Sequence, residues 1–142
     1  MYDNTPTVNV TCISVFRNNS SKYHKQYLGN IAVLRKDNSG WALPGGFQER
    51  PEQIKDAAIR EVREETGIEL KTVKIYDAQT VPDGSVNLVF WQTDIDEADW
   101  IEAFKNFTPN DEILAIDLKP EPWQSIFPMH QKFADATYYW YI

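Results

Sequence analysis

Cysteine occurs once in these 142 residues and histidine twice. A lone thiol forms no internal disulfide, so no covalent framework is expected to hold this fold. Cys12 sits in a strand-like alternation with Val8 and Val10, the setting of a small core residue rather than a nucleophile. His24 and His130 have no partner at a spacing that makes a catalytic triad or a zinc site. Basic residues are also scarce, 14 Lys and Arg against 21 Asp and Glu, for a net charge of −7. Broad binding to a nucleic-acid backbone needs a basic surface to displace counterions, so this balance argues against it. A small phosphate ligand remains compatible, because bound metal ions reverse the local field. No apolar run is long enough to span a bilayer, and Met1 to Pro6 lacks the basic and apolar regions of a signal peptide. A cytoplasmic protein without membrane contact is the expectation.

What is present is a globular composition, 42% hydrophobic with five tryptophans. A chain of this length buries roughly two-thirds of its unfolded surface in one core. Residues 1–142 are therefore expected to form a single domain, and no internal repeat or low-complexity segment breaks it. Val8 to Phe16 reads as a first strand and Tyr27 to Lys36 as a second, separated by the polar loop Arg17 to Lys22. The Asp37-Asn38-Ser39-Gly40 cluster turns the chain into a short strand ahead of Pro44. Leu70 to Thr80 looks extended, Pro82-Asp83-Gly84 makes a turn, and Ser85 to Thr93 alternates as a strand covered on both faces. Asp96 to Lys105 reads as a short helix, Ile113 to Leu118 as a last strand, and Pro128 to Tyr139 as a closing helix. Strands on both sides of one well-marked helix, with another at the end, predict an α/β protein with a mixed sheet covered on both faces.

The well-marked helix is the informative one. Pro51, Glu52 and Gln53 suit a first turn, and Gly67 suits a left-handed cap after Thr66. With Ile54 at zero and about 100° per residue, Ala57, Ala58 and Val62 fall at roughly −60°, +40° and +80°, an inward stripe. Glu61 and Glu65 land near −20° and +20°, inside that stripe, and Glu64 lies about 80° to one side. Carboxylates crowded at i, i+3 and i+4 and partly out of water raise one another's pKa unless a cation compensates. With only oxygen ligands and no Cys or His nearby, the expected cation is Mg2+ or Mn2+ rather than zinc. The competing reading is a charged surface helix, with Lys55, Asp56, Arg60 and Arg63 on a solvated face and Arg60 paired with Glu64.

The complete pattern decides between them. Gly46, five residues, Glu52, seven residues and then Arg60-Glu61-Val62-Arg63-Glu64-Glu65-Thr66-Gly67-Ile68 resembles the Nudix box at every fixed position. With each residue type at about 6% of an average composition, such a match arises by chance in on the order of one chain in ten million. The preceding Trp41-Ala42-Leu43-Pro44-Gly45-Gly46 also resembles the strand and turn that enter the box, while Pro51 stands where relatives often have glycine. The resemblance implies the Nudix α/β/α sandwich, with a mixed sheet between helices. It implies metal-assisted hydrolysis of a nucleoside diphosphate linked to another moiety, with ADP-ribose, a dinucleotide or a nucleotide sugar favoured. Removal of unwanted nucleoside triphosphates and non-hydrolytic nucleotide sensing are the alternatives; the intact carboxylates argue against the second.

By the same similarity Glu61, Glu64 and Glu65 bind Mg2+ or Mn2+, with the carbonyl of Gly45 as a further ligand. Arg60 holds a glutamate in position, Glu52 braces the loop on the helix, and Gly46 and Gly67 are structural. The general base is either Glu61 or Glu112, which precedes the apolar run from Ile113 and could equally be a late metal ligand or an exposed loop carboxylate with no role in the chemistry. Pro82 falls where ADP-ribose enzymes of the family often carry proline, though it also opens a turn. Arg35 and Lys36 lie where relatives direct basic residues to a phosphate, though strand-end charges facing water account for them equally well. Phe47 and Trp91 could stack on a base or ribose, or pack in the core. Ionised ligands and an activated water predict an alkaline optimum. Tyr138 to Tyr141 suit either a homodimer contact or a tail folded over the sheet.

Overall fold

The computed structural model describes residues 7–10, 14–18, 25–49, 51–93, 95–119, 124–125 and 131. Eight strands and two helices follow in the order β1 (Thr7–Val10), β2 (Ser14–Asn18), β3 (Lys25–Arg35), β4 (Trp41–Ala42), β5 (Gly45–Phe47), α1 (Ile54–Thr66), β6 (Lys74–Thr80), β7 (Asn87–Gln92), α2 (Glu97–Asn106) and β8 (Ile113–Lys119). The mixed α/β layout expected from the sequence is present, with its strands divided between two sheets. The first runs β5-β1-β7-β6 and is mixed, since β1 lies parallel to β7 but antiparallel to β5. In the second, β3 pairs antiparallel with β2, β4 and β8.

The single strand expected over Val8 to Phe16 is two strands in different sheets. β1 joins β5 and β7, whereas β2 joins β3, so the chain crosses between sheets after Val10. A period-two pattern records only that each segment is extended, not which partner it finds. Cys12, His24, His130, the closing helix over Pro128 to Tyr139 and the aromatic segment Tyr138 to Tyr141 lie outside the described residues, as does most of the loop after Asn18.

Packing around α1 holds the two sheets together. Val62, fully buried, joins Ile31, Val33, Ile113 and Ile116 of the β3–β8 sheet and Trp100 of α2. Ala58, also fully buried, packs on Val89 and Trp91 of β7. Where no helix intervenes, Ala32 of β3 and Leu43 meet Leu88 and Phe90 of β7. Alanines at 57 and 58 let the helix approach closely, and burying their neighbours fixes which face of α1 points inward. Thr66 closes the last turn, its hydroxyl donating to the Val62 carbonyl at 2.6 Å and accepting from Ile68 N–H at 3.1 Å. Gly67 then takes φ 81°, the left-handed cap expected for it, and donates its N–H to the Arg63 carbonyl at 2.9 Å.

The start of α1 differs from expectation. Pro51 and Glu52 precede the helix, which begins at Ile54 after Gln53. Glu52 N–H closes a turn on the Glu49 carbonyl at 2.8 Å, and the Gln48 amide donates to the Glu52 carbonyl at 2.5 Å. Proline and acidic residues fit a turn before a helix as readily as its first turn, so the local signal could not separate the two.

Candidate active site

The inward stripe places two carboxylates in the interior. Glu61 is 8% exposed and Glu65 5%, while Glu64, about a quarter-turn away, is exposed. Helical geometry alone puts Glu61 and Glu65 on the face that carries Ala57, Ala58 and Val62, so burying that face buries them. β5 then crosses their tips. Gly45 donates its N–H to Glu65 Oε2 at 3.3 Å. Gly46 leaves the space the Glu61 carboxylate occupies, because a Cβ there would stand 2.6 Å from Oε1 and 2.9 Å from Oε2. No ordinary side chain approaches that closely, which accounts for glycine at this point of the motif.

Arg60 is the hub around which the remaining acids are arranged. Its Nε donates to Glu52 Oε2 at 2.7 Å and its NH2 to Glu52 Oε1 at 3.0 Å, a two-bonded fork of the strongest kind. Its NH1 reaches Glu61 Oε1 at 3.0 Å and Glu64 Oε2 at 3.1 Å, and NH2 also donates to the Phe47 carbonyl at 3.1 Å. The side chain is only 13% exposed, so Arg60 does not belong to the solvated face of the competing reading. Lys55, Asp56 and Arg63 do face solvent. Glu52 accepts from Glu49 N–H as well, at 3.1 Å, and thereby ties the loop to the helix through Arg60.

The charges do not balance. Arg60's hydrogen bonds hold the Glu52 carboxyl below its ordinary value, and the pair raises the guanidinium in return. Burial pushes the Glu61 carboxyl up, Arg60 offsets part of this, and the charges of Glu64 and Glu112 push it further. Glu65 is raised well above its usual range, first by burial and then by the neighbouring Glu61 and by Glu112; the Gly45 N–H opposes this. No ion pair joins Glu65 to a cation among the described residues, and the charge of Arg35 also pulls its carboxyl down.

A divalent cation fits this deficit in chemistry: two buried carboxylates short of positive charge, offering only oxygen. The described residues do not, however, gather three His, Cys, Asp or Glu side chains into a ready ligand set. One expected ligand, Glu64, is held by Arg60, and at Gly45 the N–H faces Glu65. Sequence spacing assigns these residues to one neighbourhood but does not count the arginine that competes for them.

Glu112 precedes β8, is exposed, and has no hydrogen bond or ion pair to its carboxylate among the described residues, yet both Glu61 and Glu65 feel its charge. A cleft of about 640 Å3 opens beside this region, with Glu64, Glu65, Phe107 and Asn110 in its walls. Arg35, at the end of β3, is exposed. Phe47 is exposed at 57% on β5, and Phe47 and Leu88 both oppose Val8. The hairpin turn carrying Pro82 therefore lies at Phe47's end of that sheet. Pro82 itself is exposed within a turn closed by Gly84 N–H on the Val81 carbonyl at 2.8 Å. Trp91 does not offer a stacking face. It is 4% exposed, packed against Ala58 and Val89, with an indole N–H that finds no hydrogen-bond partner among the described residues. Its aromatic character in a covered strand served the core. The role of Lys36 was also read differently from sequence: its ammonium donates to the Asn110 carbonyl at 3.0 Å, within the fold.

Comparison with known proteins agrees with this geometry. Over 56 residues the chain is 38% identical to an ADP-ribose pyrophosphatase of Methanocaldococcus jannaschii, covering 37% of this chain and 33% of that protein. The chain spans between 25% and 40% of the length of the curated relatives it matches. Among solved structures it is similar in fold to a MutT/nudix family protein from Enterococcus faecalis, with TM-score 0.61, 22% identity, and coverage of 83% of this chain and 44% of that one. The NUDIX domain of Shewanella oneidensis NrtR, solved in complex with ADP ribose, superposes with TM-score 0.56 at 11% identity, covering 83% of this chain and 74% of that one. Among the described residues no helix is long and apolar enough to cross a membrane. The NUDIX domain model matches residues 5–132, nearly the whole chain, and the chain belongs to the Nudix family.

Proposed function

We propose that residues 1–142 form one Nudix hydrolase domain that uses Mg2+ or Mn2+ to hydrolyse a nucleoside diphosphate linked to another moiety. The favoured substrates are ADP-ribose, a dinucleotide or a nucleotide sugar, each giving a nucleoside monophosphate and a phosphorylated product. The observation that carries the reading is the buried Glu61 and Glu65 pair, for which the described residues supply one paired cation, Arg60, and that cation bonds Glu61 but not Glu65. A stable core does not retain two such acids without a use for them.

Glu61 and Glu65 would hold the metal, and Glu64 would join them on leaving Arg60. A divalent ion held by these residues would supply positive charge to offset the diphosphate and Lewis acidity to activate water. Glu52 fixes Arg60, Arg60 fixes Glu61 and the Gly45 N–H holds Glu65, so both carboxylates would meet the substrate already oriented. Of the two candidate bases, Glu61 is tied to Arg60 whereas the Glu112 carboxylate has no partner among the described residues, which favours Glu112 as the group that takes the proton of the attacking water. The water oxygen bonds to phosphorus as the bridging P–O bond breaks, and the departing phosphate keeps that oxygen. Phe47 and Arg35, both exposed, are suited to the remainder of the substrate.

The ADP-ribose preference takes support from the M. jannaschii relative and from the ADP ribose bound in the S. oneidensis domain. Purified protein incubated with Mg2+ or Mn2+ and separately with ADP-ribose, a dinucleotide, a nucleotide sugar and nucleoside triphosphates tests it. Two monophosphate-bearing products are expected from the first three. Pyrophosphate release from triphosphates alone would replace the diphosphate reading with nucleotide housecleaning, and a rate peaking below neutral pH would contradict the expected alkaline optimum.

A further inference from the structure

Glu112 sits in a loop, between the end of α2 and the start of β8, where a side chain is ordinarily free to wander. Its backbone is not. The Asn110 side-chain oxygen accepts the N–H groups of both Glu112 and Ile113, each at 2.9 Å. Asn110 N–H donates in turn to the Ile113 carbonyl at 3.0 Å, closing the turn on itself. On the other side of Glu112, its carbonyl accepts the Lys36 N–H at 2.8 Å. The Lys36 ammonium then reaches past it to the Asn110 carbonyl at 3.0 Å. Both peptide groups flanking the Glu112 side chain are thus fastened, one by an asparagine and one by the end of β3, while the carboxylate itself is left unbonded among the described residues.

A fixed backbone beneath a free carboxylate is what a proton acceptor requires, since a misplacement of about 1 Å in a reacting group costs on the order of a hundredfold in rate. Asn110, though not Glu112 itself, lines a cleft whose walls also include Glu64 and Glu65, so this turn stands beside the end of α1 that carries them. We propose that Asn110 and Lys36 are positioning residues that set Glu112 against the Glu61 and Glu65 carboxylates. This rests on the reading of Glu112 as the base. A loop that merely satisfied its own polar groups would use the same turn, so the test must separate support for Glu112 from support for the fold.

The experiment compares Asn110→Ala, Asn110→Asp, Lys36→Met, Lys36→Arg, Glu112→Gln and the double variant Asn110→Ala/Glu112→Gln, all in the full chain with Mg2+. Glu112→Gln should lower kcat by roughly 10^2 to 10^4-fold, the usual contribution of a general base. Asn110→Ala should lower kcat by about 10 to 100-fold with KM within about twofold, the signature of a misplaced reacting group. Asp at 110 keeps the accepting oxygen and Arg at 36 keeps the donor, so each should recover most of the lost rate. In the Glu112→Gln background, Asn110→Ala should add almost nothing. Amide hydrogen exchange gives a readout independent of turnover: Glu112 and Ile113 should be protected in the parent protein and exposed in Asn110→Ala. If Glu112→Gln alone leaves kcat intact, the base assignment falls and the positioning role with it. If Glu112→Gln is impaired but the two substitutions multiply, or if the two amides are unprotected in the parent, the assignment stands and the positioning role is refuted.

Discussion

Replacing Gly46 with alanine perturbs the site at its tightest point. The added Cβ would lie 2.6 Å from Glu61 Oε1, 2.8 Å from Cδ and 2.9 Å from Oε2, so the carboxylate must move. It cannot move freely, because Oε1 is held by Arg60 at 3.0 Å and the residue is buried. Overpacking of this kind costs about 1–3 kcal/mol. For a domain of this size each kcal/mol lowers Tm by roughly 2–4 °C, so a loss of about 2–12 °C is expected. The larger effect falls on rate. A proposed metal ligand displaced by about 1 Å should lower kcat on the order of a hundredfold while the chain stays folded. Calorimetry and Mg2+-dependent turnover of ADP-ribose on the same preparation separate the two effects. Parent-like turnover by Gly46→Ala, with its fold intact, would refute the argument that the close approach of β5 sets the Glu61 carboxylate.

Three further outcomes follow from the same geometry. Mg2+ at about 100 times its Kd should stabilise the protein by about 2.7 kcal/mol, and Glu65→Gln should abolish most of the resulting Tm increase; equal shifts in both proteins would remove Glu65 from the metal site. With chelator present, the raised Glu65 carboxyl stabilises the fold most below the ordinary glutamate value of 4.5, and that stability is lost as pH rises through the higher folded value. Tm should therefore fall more steeply with pH in the parent than in Glu65→Gln, and parallel curves would show that Glu65 is not the cause. Phe47→Ala should raise KM for ADP-ribose, because that ring is exposed, whereas Trp91→Phe should alter Tm and leave KM alone; the reverse pattern would show that the β7 ring reaches ligand.

Several elements were legible because their causes are local. The apolar stripe of α1 carried Glu61 and Glu65 inward as the helical period requires, and Gly67 capped the helix because only glycine takes φ 81° without strain. The beginning of α1 was harder, since Pro51 and Glu52 suit a turn as well as a first helical turn. The sheet change after Val10 was invisible, because strand partners are chosen over long separations and leave no periodic mark.

By itself the sequence determined which carboxylates share a helix face and where that helix ends. Only the tertiary structure decided what each acid touches. Arg60 was drawn out of solvent by Glu52, Glu61 and Glu64; Trp91 went to the core; and Lys36, from 74 residues away, fastened the loop of Glu112. The reason is physical: periodicity fixes direction around one element, while hydrogen bonds and burial depend on groups brought together from distant parts of the chain.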